Sequence, residues 1–249
     1  MDIKGHSGRK VNYKPMEIIR TKNYEELSNV ASGMIIDAII AKPALLLCTA
    51  TGGSPEGAYK KVVEKKESFS SAKLRIIKLD EWGGIPMNDP ESCEVFLRRF
   101  LIEPLNIPDS RFISFKTDPA NPEDECRRIQ QLLDTNGHPD LSVLGIGMNG
   151  HLALNEPSDN LIPSCHIAEL SPTTLNHSMA LNMKKKPTYG LTLGIRDIIL
   201  SKRILLLISG ASKKSITAQF LEGKITTDVP ASLLWLHPFT TCIIERDAL

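Results

Sequence analysis

The sequence has few cysteines, and none of them are paired as in a zinc or dithiol site. Its 249 residues contain five cysteines and no C-x-x-C motif. They are widely spaced, at Cys48, Cys93, Cys126, Cys165 and Cys242. An odd number with this spacing argues against a disulfide framework and against a zinc site, so we expect no metal. It also predicts reduced thiols in a cytoplasmic protein.

Long apolar runs and an excess of charge are lacking too. No apolar run approaches the roughly 18 residues that a membrane helix requires, and the first six residues lack the apolar core of a signal peptide. The formal net charge is only +1, which gives no electrostatic reason to expect nucleic acid. We therefore expect neither a membrane nor a nucleic-acid partner. Basic residues recur within residues 1–15, which we expect to form a solvated, flexible arm.

Linkers, repeats and low-complexity tracts are absent, so residues 16–249 are expected to form one domain. Short apolar runs predict strands at Ala44–Cys48, Leu74–Leu79, Arg111–Phe115, Leu141–Leu144, Gly190–Gly194, Arg203–Ile208 and Thr241–Glu245. Helices are predicted to begin near Asn23, Ser54, Asp89, Pro122 and Ser212. This alternation predicts an α/β fold with a doubly wound, mainly parallel sheet and helices on both faces, in a Rossmann-like three-layer arrangement. Residues 165–187 fit either a lid or an ordinary surface connection.

Polar residues follow three of the predicted strands. They are Thr51–Ser54, then Asp80 and Glu81, then the group Asn149, His151 and Glu156. Ligands of open α/β sheets bind beyond the carboxyl ends of the strands. We therefore expect the three segments to meet at one edge of the sheet.

Thr51, Gly52, Gly53 and Ser54 precede a predicted helix, with Ser54 as its cap and Pro55 as its first residue. Free N–H groups there would suit an anion such as a phosphate, although an ordinary glycine turn fits as well. Ala58 and Tyr59 stand where a nucleotide-binding P-loop needs Lys and Ser/Thr, so a nucleoside triphosphate is disfavoured.

The other two segments carry acid–base chemistry. Asp80 is either a solvated strand end or a general base whose pKa is raised beside Trp82. His151 and Glu156 lie in a glycine-rich turn, as proton transfer requires. Gly145-x-Gly-x-x-Gly150 matches a dinucleotide fingerprint, but Pro157 follows too soon for the long helix that this site needs. No G-x-S-x-G motif supports a serine hydrolase.

Three motifs, in this order, resemble the amino-sugar-phosphate isomerase/deaminase family, which shares its fold with 6-phosphogluconolactonases. They are Thr51–Pro55, Asp80–Trp82 and Gly147–Pro157, and the resemblance spans about residues 16–245. It implies a sugar-phosphate substrate and no cofactor. It also implies that Asp80 moves a proton between C2 and C1, that His151 assists ring opening, and that Glu156 completes the relay. Residues 51–54 would lie near the phosphate, and Lys213 would pair with it.

Further motifs look more like the galactosamine-6-phosphate isomerase branch, namely Lys78–Trp82, Asn149–His151, Cys165–Ile167 and Pro230–His237. The resemblance therefore implies conversion of galactosamine 6-phosphate to tagatose 6-phosphate and ammonia. Glucosamine-6-phosphate deamination is the alternative, and lactone hydrolysis or a non-catalytic sugar-phosphate sensor is less favoured. Asn149 replaces the aspartate usual in deaminases and is expected to orient His151 by a hydrogen bond. The phosphate-binding lid arginine of deaminases has no counterpart, with Ala180 near its place. A homo-oligomer is left open.

Overall fold

The computed structural model describes residues 16–249; the arm predicted for residues 1–15 lies outside the described residues. The strands are β1 Glu17–Thr21, β2 Leu46–Thr49, β3 Arg75–Lys78, β4 Asp80–Gly83, β5 Phe112–Ile113, β6 Leu141–Gly145, β7 His166–Ala168, β8 Tyr189–Thr192, β9 Ile204–Ile208 and β10 Thr240–Glu245. The α-helices are α1 Tyr24–Ala41, α2 Gly53–Glu64, α3 Cys93–Leu97, α4 Pro122–Asn136, α5 Pro172–Leu175, α6 Ser178–Asn182, α7 Ile195–Ile199 and α8 Lys214–Leu221.

Seven strands form one parallel sheet in the order β1-β10-β9-β6-β2-β3-β5. The other three form a small antiparallel sheet, β4-β8-β7. Strand β2 lies inside the large sheet; β3 and β5 follow on one side, β6, β9 and β10 on the other, and β1 forms the edge beyond β10. This arrangement confirms the predicted doubly wound, mainly parallel α/β fold.

The core has two layers because both faces of the large sheet are covered. Along β9, Ile204 and Leu206 pack into one apolar cluster with residues of α4 and α8, while Leu205 and Leu207 pack into the other with residues of α1 and α2. All four side chains are essentially inaccessible to solvent. A strand that is buried on both faces has a continuous apolar sequence. This pattern is why β9 could be predicted from the sequence.

The small sheet differs from the prediction for residues 190–194. That strand, β8, pairs antiparallel with β4 and not with the parallel sheet, so Asp80 lies opposite Thr192. Strand β1 was not predicted, and the strand expected over Arg111–Phe115 shortens to β5.

The start of α2 also differs from the prediction. Gly52 is its N-cap, with φ of 99°, so Ser54 is not the cap and Pro55 is the third helical residue. Glycine adopts a positive φ at little energetic cost. The helix therefore begins after Gly52 without a hydrogen bond from a capping side chain. The Ser54 hydroxyl is instead 2.9 Å from the Ser209 hydroxyl. The helix predicted from Asp89 begins later, as α3, and is capped by the Ser92 hydroxyl.

Residues 165–187 are built from the short elements β7, α5 and α6. They cover a third, small apolar cluster that includes Trp82, Leu154 and Ala180. Whether they open as a lid stays a prediction. Over residues 16–249, none of the helices combines the length and apolarity needed to cross a bilayer.

Candidate active site

A cavity of about 550 Å³ opens at the carboxyl ends of the parallel strands, a size suited to a small ligand. Each of the three predicted segments contributes to its wall. The sequence-predicted residues that line it are Thr51, Gly52, Gly53, Ser54, Asp80, His151 and Lys213. Asn149 and Glu156 do not line the cavity; Glu156 contacts two residues that do, His151 and Thr174. The fold therefore places the predicted acid–base residues beside the predicted anion-binding loop.

Asp80 is the first residue of β4 and is partly buried in the cavity wall. Burial and the neighbouring Glu81 carboxylate raise its pKa to about 7, and the Lys78 ammonium partly opposes them. Trp82, which is buried close by, contributes to the apolar surroundings. A pKa near neutrality suits a group that accepts a proton and then returns it.

The imidazole of His151 is held by a carboxylate and a hydroxyl. Its Nδ1 lies 3.2 Å from Glu156 Oε2 and 3.3 Å from Thr174 Oγ1. Because a carboxylate only accepts hydrogen bonds, Nδ1 carries the shared proton, and Nε2 is left as the ring atom free for a ligand. The Thr174 hydroxyl also donates to Glu156 Oε1.

Glu156 is an ionised member of this relay. Burial raises its pKa, but the hydrogen bond and charge of His151 and the hydrogen bonds of Thr174 and Asn149 lower it to about 2. Asn149 Nδ2 donates to Glu156 Oε2 at 2.6 Å and to Ser171 Oγ at 3.2 Å. The expected bond from the Asn149 side chain to the imidazole is therefore not the one in the structure. Its Oδ1 instead accepts from the His151 backbone N–H, at 3.3 Å.

Thr174 and Ser171 were not singled out from the sequence. Ser171 caps α5 and Thr174 lies within it, so the serine–proline start of a helix was the only local signal. The contact of Thr174 with Glu156 spans 18 residues and that of Ser171 with Asn149 spans 22, which no short sequence pattern encodes.

The glycines of the 145–150 turn support His151. The Gly147 N–H donates to the His151 carbonyl at 3.0 Å, and Gly150 adopts a φ of 89°. A Cβ atom at position 147 would lie 2.2 Å from His151 Cδ2. Glycine at position 147 thus allows the imidazole to pack closely against the turn. This role accounts for the glycine spacing without a dinucleotide-binding site.

The anion-binding side of the cavity combines the start of α2 with Lys213. The first turn of α2, from Gly53, presents unpaired backbone N–H groups at the positive end of a 12-residue helix. Burial lowers the pKa of the Lys213 ammonium to about 8. Ala180 is fully buried in the cluster under residues 165–187. The position expected near the lid arginine therefore faces the core, while His177 of the same segment lines the cavity.

Within the part of the chain that the structure describes, no group of three or more His, Cys, Asp and Glu side chains is arranged to hold a metal ion. The acid–base groups of the cavity are instead Asp80 and the pair His151–Glu156.

A parallel α/β sheet with this acid–base set beside the first turn of α2 and the Lys213 ammonium is typical of an enzyme. Residues 22–242 match the family model described as glucosamine-6-phosphate isomerases/6-phosphogluconolactonase. The chain therefore belongs to this family and is an enzyme of the amino-sugar-phosphate isomerase/deaminase type.

Individual proteins give the same result. The chain is 39% identical to "Putative deaminase AgaI" of Escherichia coli (strain K12), over 94% of each chain. It is 37% identical to glucosamine-6-phosphate deaminase 1 of Bacillus subtilis (strain 168), over 94% of this chain and 98% of the relative. A solved monomeric glucosamine-6-phosphate deaminase superposes with a TM-score of 0.89 at 37% identity, covering 94% of this chain and 98% of that one. The 6-phosphogluconolactonase of Trypanosoma brucei, at 18% identity, superposes with a TM-score of 0.72, which shows the shared fold alone.

Proposed function

We propose that this enzyme isomerises and deaminates a 2-amino-2-deoxyhexose 6-phosphate, with galactosamine 6-phosphate as the preferred substrate. The products are tagatose 6-phosphate and ammonia, and one water molecule is consumed. The observation that carries the proposal is the shared cavity of about 550 Å³, which Asp80, His151 and Lys213 all line.

Binding comes first in the proposed sequence. The phosphate lies against the first turn of α2 and the Lys213 ammonium, both of which favour a dianion. This contact fixes the C6 end of the sugar and leaves the C1–C2 end for Asp80. Holding the reacting carbon against its base accounts for a large share of the rate enhancement in such reactions.

Ring opening and proton transfer follow. His151 Nε2 accepts the proton of the C1 hydroxyl and passes it to the ring oxygen as the bond between C1 and the ring oxygen breaks, while Glu156 holds Nδ1 and stabilises positive charge on the imidazole. In the open-chain aldose, the Asp80 carboxylate removes the C2 proton while a proton of the substrate's own ammonium group passes to the carbonyl oxygen, giving an enolamine with a C1–C2 double bond. The proton on Asp80 exchanges with solvent, Asp80 then delivers a proton to C1, and the C2–N bond becomes an iminium. Water adds at C2 and ammonia leaves, which yields the ketose phosphate.

Two kinds of evidence bear on the sugar. Motifs such as Lys78–Trp82 and Cys165–Ile167 favour the galactosamine branch. Relatives named as glucosamine-6-phosphate deaminases, at 37% and 38% identity, favour the glucosamine alternative. The two substrates differ only in the configuration at C4.

One assay tests the proposal directly. Ammonia release is measured from galactosamine 6-phosphate and glucosamine 6-phosphate side by side, and we expect a higher kcat/KM for the galacto epimer. In deuterated solvent, the product should carry deuterium at C1. Hydrolysis of 6-phosphogluconolactone without C1 exchange would favour the lactonase alternative instead. Binding of both sugars without ammonia release would indicate a sensor.

A further inference from the structure

Behind Asp80 lies a buried group of charges that the proposed reaction does not use. We call Lys78, Glu81 and Glu94 the Lys78 cluster. Lys78 Nζ donates to Glu81 Oε2 at 2.5 Å, to Glu94 Oε2 at 3.0 Å and to the Phe115 carbonyl at 2.9 Å. Lys78 and Glu81 are fully inaccessible to solvent. Burying a charge costs much free energy unless the charge is paired and hydrogen-bonded. The contacts within the cluster supply these partners for Lys78 and Glu81.

Glu81 connects the strand that carries Asp80 to the start of α3. Its Oε1 accepts from the backbone N–H groups of Trp82 and Cys93, at 2.8 and 2.9 Å, and its Oε2 accepts from the Glu94 N–H at 2.9 Å. With four donors around it, the side chain can only be a carboxylate. Its charge also lies at the N-terminal end of α3, where a negative charge is favoured.

The same contacts reach the anion-binding loop. The Cys93 thiol is 3.2 Å from the Thr51 hydroxyl, and the Cys93 N–H is bound to Glu81. A continuous chain of contacts therefore runs from Thr51 through Cys93 and Glu81 to the backbone of Asp80. It fixes the distance between the proposed base and the proposed phosphate site.

The cluster also supplies the charges next to Asp80. The charges that act on Asp80 are those of Lys78 in β3 and Glu81 in β4, and the charge of Asp80 acts in turn on Cys48 of β2, Tyr59 of α2 and Cys93 of α3. Burial raises the pKa of Cys48 to about 12 and the pKa values of Tyr59 and Cys93 well above their usual range. All three are therefore neutral near pH 7. Lys78 and Glu81 remain as the charged neighbours, and they act in opposite directions on Asp80.

We infer that Lys78 and Glu81 are positioning residues that set both the place and the ionisation of Asp80. The inference rests on the proposed role of Asp80 as the base. The positive charge of Lys78 favours the Asp80 carboxylate, and the negative charge of Glu81 opposes it. The ion pair thereby keeps Asp80 able to accept and return a proton near neutral pH.

The test uses the opposite signs of the two charges. Glu81→Gln removes the like charge, so the acid limb of the kcat/KM profile should move about one pH unit lower. Lys78→Met removes the opposite charge, so the limb should move about one unit higher. If the two substitutions only damaged packing, kcat would fall, but the acid limb would not move in opposite directions in the two variants. Glu94→Gln is the matched control, because it breaks the same cluster away from Asp80, and its acid limb should stay in place.

A second measurement keeps the test independent of turnover. The Asp80 carboxyl carbon is titrated by NMR in protein labelled with ¹³C-aspartate, and Asp80→Asn assigns its signal. If Lys78→Met does not fold, the variant Lys78→Met/Glu81→Gln replaces it, and its Asp80 pKa should lie above that of Glu81→Gln alone. Shifts of the same sign in the folded variants, or none, would overturn the inference. Ammonia release retained by Asp80→Asn would instead reject the proposed base, while the NMR titration would still report on the cluster.

Discussion

Asn149 Nδ2 donates a 2.6 Å hydrogen bond to Glu156 Oε2, the same oxygen that lies 3.2 Å from His151 Nδ1. The amide thus secures the carboxylate that holds the imidazole and does not contact the ring itself. A neutral donor at position 149 lets Glu156 keep its negative charge, because no second carboxylate is brought against it.

Asn149→Asp should therefore change the pH profile of ring opening. A carboxylate at position 149 loses the donor and repels Glu156, which raises the apparent pKa of the relay. We expect the corresponding limb of the kcat/KM profile to move about one pH unit higher. Asn149→Ser, which removes the amide without adding charge, is the control. An unchanged profile in Asn149→Asp would place position 149 outside the relay.

Asp80→Asn should nearly abolish ammonia release. An amide cannot take the C2 proton, and a well-placed general base contributes about 10²–10⁴-fold in rate. Substrate binding, measured by calorimetry, should change by no more than a few fold because Lys213 and the α2 turn are intact. The exposed acid Asp159 provides a control in Asp159→Asn, which should keep full activity. Retention of most activity in Asp80→Asn would show that another residue is the base.

The same variant should be more stable than the wild-type protein at alkaline pH. The pKa of Asp80 is about 7 in the fold, against an ordinary value of 3.8. Between these values the folded protein holds a proton that the unfolded chain releases, so wild-type stability falls as pH rises through this window. Asparagine has no such proton. Urea unfolding should show Asp80→Asn gaining on the order of 1–2 kcal/mol relative to wild type between pH 4 and pH 8. A pH-independent difference would contradict the raised pKa.

Lys213→Met should weaken phosphate recognition. A charge-assisted hydrogen bond to a buried ammonium is worth about 1.5–3 kcal/mol, so KM should rise roughly 10- to 100-fold. Because the pKa of Lys213 is lowered to about 8, inhibition of the wild-type enzyme by inorganic phosphate should weaken above that pH. The neighbouring exposed lysine supplies a matched control, Lys214→Met. Equal effects of the two substitutions would argue against a specific phosphate contact.

Gly147→Ala should disable the relay without touching an acid or base. The added Cβ would lie 2.2 Å from His151 Cδ2, so the imidazole must move away from Glu156. We expect kcat to fall about 10²-fold, in line with the loss of one acid–base group. Gly33→Ala, a helix site with no atom within 4 Å of the added Cβ, should leave kcat unchanged. A normal kcat in Gly147→Ala would mean that the ring can shift without loss of function.

Much of the fold was readable because its signals are local. The continuous apolar run at β2 predicted a strand covered on both faces and the run at β9 predicted a strand, and the structure places both inside the parallel sheet. The three motif segments follow predicted strands. They were expected to meet because parallel strands present their carboxyl ends at one edge of the sheet. The sequence pattern did not locate the start of α2, because the N-cap there is a glycine without a side-chain hydrogen bond. The pattern predicts Ser54 as the cap, whereas the structure has Gly52.

The sequence by itself thus determined the parallel α/β core, the glycine turn around His151 and the family. Only the tertiary structure decided that β4 leaves the main sheet to pair with β8, more than 100 residues away. It alone brought Thr174 to Glu156 and buried Lys78 against Glu81 and Glu94. The physical reason is separation along the chain. Hydrophobic periodicity and turn-forming residues determine structure only within a few residues. The partner of a strand edge or a buried charge depends on how distant segments pack.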